Sequence, residues 1–421
     1  MTLTILSTIL GLLGSAAGVL GLQLPELLGP YPVGTVGFEL IDDSRQDPLA
    51  PSPQQRELVV SVFYPTSQSA AHSGEYHLAR YMSPRTVTAF PQYLGTSEGA
   101  TEILTRSYLG APLFNGTEED DANGAFPVLM FSHGLNSSRL LHTAQLEQLA
   151  SRGWIVVAID HTYDAGAVEF PDGRVVPWRS TNLDNFPNEL AGLIEVRVAD
   201  VEFVAHALGD TATQLSSSRK MPSLLGPAPF RLERVGIFGH SLGGATAAQV
   251  LANDNPRFVC GANFDGGIFG PVAQTGFDDK PFVQIEAAGH NRTTEPTWPE
   301  FWNHLGGFRR QFAVDGALHS AFGDLPVLRD LLGDEFPSSE RGQLGTIAGE
   351  RLLDIDTAFM HAFFTFCLKG GRRMGWIAWL KVFSPRLRFH GTLQDLLNTC
   401  SVGVLRQRSW SNYVRKSSRF W

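Results

Sequence analysis

Arg234-Val-Gly-Ile-Phe-Gly-His-Ser-Leu-Gly-Gly-Ala-Thr-Ala-Ala-Gln-Val-Leu251 decides how this chain is read. Its first five residues are a short apolar run, the mark of a buried strand. Gly244–Leu251 is built of small and apolar residues suited to a helix. Between them stands Gly239-His240-Ser241-Leu242-Gly243, a G-x-S-x-G. Glycines on either side of the serine remove Cβ atoms that would clash in a sharp strand-to-helix turn, so the hydroxyl is expected to stand exposed at the C-terminal edge of a sheet. This is the pattern of a nucleophile elbow.

Elsewhere, apolar runs alternate with helical patterns. Thr35–Ile41 and Glu57–Tyr64 read as an opening antiparallel pair. Phe126–Phe131 and Trp154–Ile159 are continuously apolar, as strands buried on both faces are. Leu140–Arg152 lies between them with helical spacing, and Glu189–Leu208 places Leu190, Ile194, Val198, Val201, Ala205 and Leu208 on one helical face. Strands are predicted again at Phe258–Phe264, Pro281–Glu286 and Arg309–Val314, and a last amphipathic helix at Thr346–Leu368. This rhythm predicts an α/β fold, a mostly parallel central sheet with helices on both faces. Residues 66–122 carry no clear strand signal and are expected to form helices or loops over the site. The stretches 48–56 and 210–230 read as surface excursions.

The 421 residues are 43% hydrophobic and 18% charged, a globular composition, and the net charge of −9 does not suggest a nucleic-acid partner. The charge is divided unevenly. Residues 368–421 carry eleven Lys/Arg and one acid, Asp395, a balance of +10 against −19 for the rest. Cys260, Cys367 and Cys400 are too few for a disulfide framework and too scattered for a metal site. Cys260 reads as a buried, inert thiol. Residues 2–24 are uncharged and rich in Leu, Ile, Ala and Gly, with small residues at Ser15-Ala-Ala-Gly18. A secretory leader is the favoured reading of residues 1–24, with a membrane anchor as the alternative. The sequons at Asn115, Asn136 and Asn291 agree with a secretory route. The chain thus divides into a leader (1–24), a catalytic unit (25–369) and a basic extension (370–421). Trp376, Trp379, Trp410 and Trp421 among the basic residues of the extension suit association with an anionic lipid surface.

A serine hydroxyl becomes a useful nucleophile when a histidine takes its proton and an acid orients that histidine. In strand–elbow–helix sheets the chain order is Ser, acid, His. His319 follows the last strand and emerges at the same edge as Ser241, which makes it the candidate base. His290 precedes that strand. His133 and His161 precede the serine, and His240 sits within the elbow, where its ring cannot turn back onto Ser241. Two acids compete, Asp265 after one strand and Glu286 at the end of the next, and the fold logic allows either. Oxyanion donors are expected from the backbone N–H of Leu242 and, from the loop Phe131-Ser-His-Gly-Leu135, that of Leu135. No His/Asp/Glu cluster has ligand spacing, so neither metal nor cofactor is expected. The oligomeric state is not legible.

Phe131-Ser-His-Gly-Leu135, Gly239-His-Ser-Leu-Gly-Gly-Ala245, Asp265 and His319 together resemble the plasma or lipoprotein-associated type of platelet-activating factor acetylhydrolase. Ser151-Arg-Gly-Trp-Ile-Val-Val-Ala-Ile-Asp-His161 and Gly29-Pro-Tyr-Pro-Val-Gly34 extend the resemblance over roughly residues 29–369. It implies an α/β-hydrolase fold and metal-independent hydrolysis of short or oxidised sn-2 acyl esters of phospholipids. By its spacing it favours Asp265 over Glu286 as the acid, and it implies Leu135 and Leu242 as the oxyanion donors. Residues 370–421 have no counterpart in it. Around 96–114, where the family has lipid-touching surface elements, only the apolar character of Ile103, Leu104, Tyr108, Leu109 and Leu113 matches. The alternatives are a cutinase-like or general carboxylesterase and, more distantly, a non-catalytic binding protein of the same fold.

Overall fold

The computed structural model describes residues 22–94, 98–114, 126–179, 186–209, 230–370 and 387–389. Most of the leader, the sequon at Asn115, the 210–229 stretch, Cys400 and nearly all of the basic extension with its four tryptophans lie outside them. Among the described residues, no helix is long and apolar enough to cross a membrane.

Eleven strands form one sheet. They are β1 (Val33–Gln46), β2 (Gln55–Pro65), β3 (Leu78–Arg80), β4 (Leu104–Leu109), β5 (Pro127–Ser132) and β6 (Ile155–Asp160). A separate hairpin, β7 (Ala167–Glu169) with β8 (Val175–Pro177), comes next in the chain. The sheet then resumes with β9 (Arg231–His240), β10 (Phe258–Phe264), β11 (Phe282–Ala287), β12 (Arg309–Val314) and β13 (Leu387–Phe389). Their order is β13-β12-β11-β10-β9-β5-β6-β2-β1-β4-β3. The run from β12 to β6 is parallel throughout, and β2 joins β6 antiparallel.

β5 and β6 are apolar along nearly their whole length because both of their faces are covered. Along β5, Val128 and Met130 join a core with Ile194, Val201 and Val250 from the helices Phe186–Gly209 and Leu242–Ala252. Leu129 and Phe131 point the other way, toward Leu146, Phe359 and Phe363 from the helices Thr143–Ser151 and Gly349–Leu368. Each of these side chains is essentially inaccessible, and burial of each contributes about 1.5–3 kcal/mol.

One expectation needs correction. Residues 66–122 hold short helices but also two strands, β3 and β4, with β4 parallel to β1. On β4 the inward residues are polar. Ser107 Oγ donates to the Glu147 carboxylate at 2.8 Å and Thr105 is buried, so the strand lacks the usual apolar alternation. Within the basic extension, residues 387–389 pair antiparallel with β12 at the sheet edge. As expected, Cys260 is fully buried, and both it and Cys367 are free thiols.

Candidate active site

Ser241 sits between β9 and the helix Leu242–Ala252 with φ 55° and ψ −122°, a conformation that costs a non-glycine residue of order 1–3 kcal/mol. The sheet holds it there. Ser241 N–H donates to Phe264 O at 2.8 Å, and Asp265 N–H donates to Ile285 O at 2.7 Å, so the elbow and the acid loop are tied to successive strand ends. Tight packing explains the glycine after the serine. A Cβ on Gly243 would lie 1.9 Å from Ser132 O.

The three candidate residues, separated by 24 and 54 positions in sequence, meet at this edge. His319 Nε2 is 3.0 Å from Ser241 Oγ, and His319 Nδ1 is 2.7 Å from Asp265 Oδ2. The Asp265 carboxylate is fully buried, whereas the His319 side chain is 49% exposed and thus open to an incoming substrate. Burial acts to raise the Asp265 pKa, but hydrogen bonds from His290 and His319 outweigh it and leave the group below its ordinary value. The ionised acid therefore favours the tautomer with Nδ1–H toward Asp265 and the Nε2 lone pair toward the serine.

Glu286, the competing acid, lies elsewhere. It is buried one strand over and accepts from Gln311 Nε2, and burial raises its pKa to about 7. His290, set aside as a base, lies on the far oxygen of Asp265, with Nδ1 2.8 Å from Oδ1. His240 is turned away from Ser241, as expected. Burial holds its pKa well below the ordinary value, and its Nε2–H donates to the His319 carbonyl at 2.8 Å, fixing the loop that carries the candidate base.

The candidate oxyanion loop packs directly on the serine. A Cβ on Gly134 would lie 3.3 Å from Ser241 Cβ. Its carbonyls are held from behind by Arg197, a residue the sequence gave no reason to single out. Arg197 Nη1 donates to His133 O, and Nη2 donates to Gly134 O at 3.3 Å. Nδ1–H of the buried His133 adds a 2.6 Å bond to Gly134 O. In a trans peptide the N–H points opposite to the C=O, so pulling Gly134 O toward Arg197 turns the Leu135 N–H the other way. Leu242 supplies the first N–H of the elbow helix, whose partial positive charge also favours an anion.

Beneath this loop lies an array that the sequence reading missed. Ser132 Oγ is 2.9 Å from His161 Nε2, and His161 Nδ1 is 2.9 Å from Asp200 Oδ2. Arg56 in turn donates to Asp200 at 2.6 Å and to Asp47 at 3.0 Å. It repeats a Ser–His–Asp chain, but all three members are fully buried, so no substrate reaches it. It braces the strand end and the loop. Histidine and serine at the ends of neighbouring parallel strands were its only sequence signal. Among the described residues, no group of three or more His, Cys, Asp or Glu side chains is placed to hold a metal ion.

The family model described as platelet-activating factor acetylhydrolase, isoform II, matches residues 17–170 and 221–365. A probable 1-alkyl-2-acetylglycerophosphocholine esterase of Arthroderma benhamiae is 27% identical over 369 residues, covering 82% of this chain and 88% of that protein. The platelet-activating factor acetylhydrolase of Cavia porcellus is 27% identical over 224 residues, 47% of this chain and 48% of its own. Among solved structures, a ferulic acid esterase from Streptomyces cinnamoneus superposes with a TM-score of 0.71 at 28% identity, covering 88% of this chain and all of that one.

Proposed function

The chain belongs to the platelet-activating factor acetylhydrolase, isoform II, family, and we propose that it is a carboxylic ester hydrolase that cleaves the short sn-2 acyl ester of glycerophospholipids through an acyl-enzyme on Ser241. The observation that carries this reading is the unbroken hydrogen-bonded line from Ser241 Oγ through His319 to Asp265. His319 Nε2 takes the hydroxyl proton as Oγ bonds to the ester carbonyl carbon. The carbonyl electrons move onto oxygen, where the N–H groups of Leu135 and Leu242 receive the charge. Collapse breaks the ester C–O bond, and His319 returns its proton to the departing lysophospholipid oxygen. Water then enters and gives a proton to His319 as its oxygen bonds to the acyl carbon; the acyl–Oγ bond breaks, His319 returns the proton to Oγ, and the acid leaves with Ser241 restored. Asp265 stays ionised throughout and steadies the imidazolium.

The leader and the sequons support a secretory route for the protein. Of the two described sequons, Asn291 fits best, in an exposed turn where Thr293 Oγ1 donates to its side chain at 2.6 Å. The sequon hydroxyl of Asn136, Ser138, is fully buried against Asp160. The basic extension supports association with anionic lipid. The unit 25–369 carries every residue of the proposed chemistry.

Labelling with a fluorophosphonate tests the nucleophile. The adduct is expected on Ser241, and Ser241→Ala is expected to lose labelling and at least about 10³-fold in turnover. An adduct elsewhere, or near-normal turnover, would sink the proposal. The likeness to a ferulic acid esterase favours a second reading, a broader carboxylesterase. Rates on an sn-2 acetyl phospholipid, its long-chain analogue, methyl ferulate and a polyester film separate the two. A preference for the acetyl phospholipid supports the first reading, and a preference for the ferulate or the film supports the second.

A further inference from the structure

The Asp265 carboxylate serves two imidazoles. Oδ2 faces His319 at 2.7 Å, while Oδ1 accepts from Ala287 N–H at 2.7 Å and lies 2.8 Å from His290 Nδ1. The other nitrogen of His290, Nε2, lies 3.4 Å from Glu295 Oε2. Glu295 is itself fixed through its other oxygen, by Thr297 N–H at 3.0 Å and Thr297 Oγ1 at 2.7 Å. The His290 ring rests against the indole of Trp298 with centroids 4.5 Å apart, and Trp298 Nε1–H donates to Gly266 O, one residue beyond Asp265.

An ionised carboxylate only accepts hydrogen bonds, so a ring that bonds to one at each nitrogen carries a proton on both. We propose that His290 is a positioning residue, a standing imidazolium that fixes the Asp265 carboxylate and offsets the charge that it presents to His319. Its pKa is raised to about 10 by the bonds to Asp265 and Glu295, which outweigh burial. The other groups around the pair do not supply this charge. His240 is held neutral by burial, Glu286 is held protonated up to about 7, and Arg292, also felt by Glu286, stacks its guanidinium on Trp302 at 4.8 Å. His319 therefore works beside a carboxylate whose field is partly cancelled by the charge on its other oxygen.

This rests on the Ser241–His319–Asp265 reading, and the test keeps the two apart. kcat/KM for p-nitrophenyl acetate is measured against pH on the full chain, with fluorophosphonate labelling and thermal melting as controls. In His290→Asn the amide is expected to keep the bond to Asp265 but not the charge. The acid limb is expected to move up by about one pH unit, with a modest loss at the plateau. His290→Ala is expected to show the same shift with a larger plateau loss. Glu295→Gln removes a negative charge next to the imidazolium and is expected to move the limb slightly the other way. A limb that stays put in the folded His290 variants overturns the inference even where Ser241 is labelled normally. Failure to label Ser241 in the unaltered protein overturns the underlying triad reading instead.

Discussion

Arg197 offers the sharpest separation between stability and chemistry. Its guanidinium is fully buried, pairs with the equally buried Asp164 at 2.5 Å, and donates to both carbonyls behind the candidate oxyanion loop. Arg197→Met leaves Asp164 charged and unpaired in the interior, which costs about 3–5 kcal/mol. It also frees the Gly134–Leu135 peptide to rotate. Deleting an oxyanion donor outright costs about 10²–10³ in kcat. Here the donor remains, and Gly134 O keeps its bonds from His133 Nδ1–H and Ser137 N–H, so about tenfold to a hundredfold is expected, with KM nearly constant. Adding Asp164→Asn removes the stranded charge. The double variant is expected to regain much of the melting temperature but none of the lost kcat, and to react with a fluorophosphonate as slowly as the single one. Soluble-ester kinetics beside thermal melting reads both quantities. If kcat returns in step with stability, or the folded double variant turns over within twofold of the unaltered enzyme, Arg197 does not orient the oxyanion amide.

Asp265→Asn is expected to lower kcat far more than Glu286→Gln, since an amide can hold the wrong imidazole tautomer while Glu286 bonds to Gln311 and not to His319; soluble-ester kcat for the pair ranks them, and the reverse order would move the acid one strand over. Burial raises the pKa of Glu147 to about 8 and that of Asp324 to about 7. Both are protonated in the folded state where the unfolded chain is ionised, so stability is expected to fall as pH rises from the ordinary carboxyl range toward about 8. Glu147→Gln is expected to flatten that decline in a melting series from pH 5 to 8. Deleting residues 390–421 is expected to leave soluble-ester hydrolysis intact, whereas deleting 370–421 also removes β13 from the β12 edge and is expected to lower the melting temperature. Equal melting temperatures for the two truncations would mean that this strand adds nothing to the fold.

What could be read in the sequence follows from how locally each constraint acts. The elbow is legible because a serine at φ 55° needs small neighbours within two residues on either side, and Gly239 and Gly243 are those neighbours. β5 and β6 are legible because cover on both faces leaves them almost no polar position, as Ile155–Ile159 shows. The meeting of the three candidate residues is legible because strand ends on one edge must converge, which places loops after β9, β10 and β12 together. The remainder fails for a common reason: its interior residues are polar and pair over long distances. Arg197 and Asp200 lie on the helix whose apolar stripe was read correctly, yet charges on such a helix ordinarily face water, and nothing local announces partners 33 and 39 residues away. β4 was missed for the same reason, its inward Ser107 meeting Glu147 some 40 positions later. His290 belongs with them. From sequence it was a histidine on the wrong side of the last strand. Its meaning depends on Asp265, 25 residues earlier, having a second oxygen that His319 leaves open.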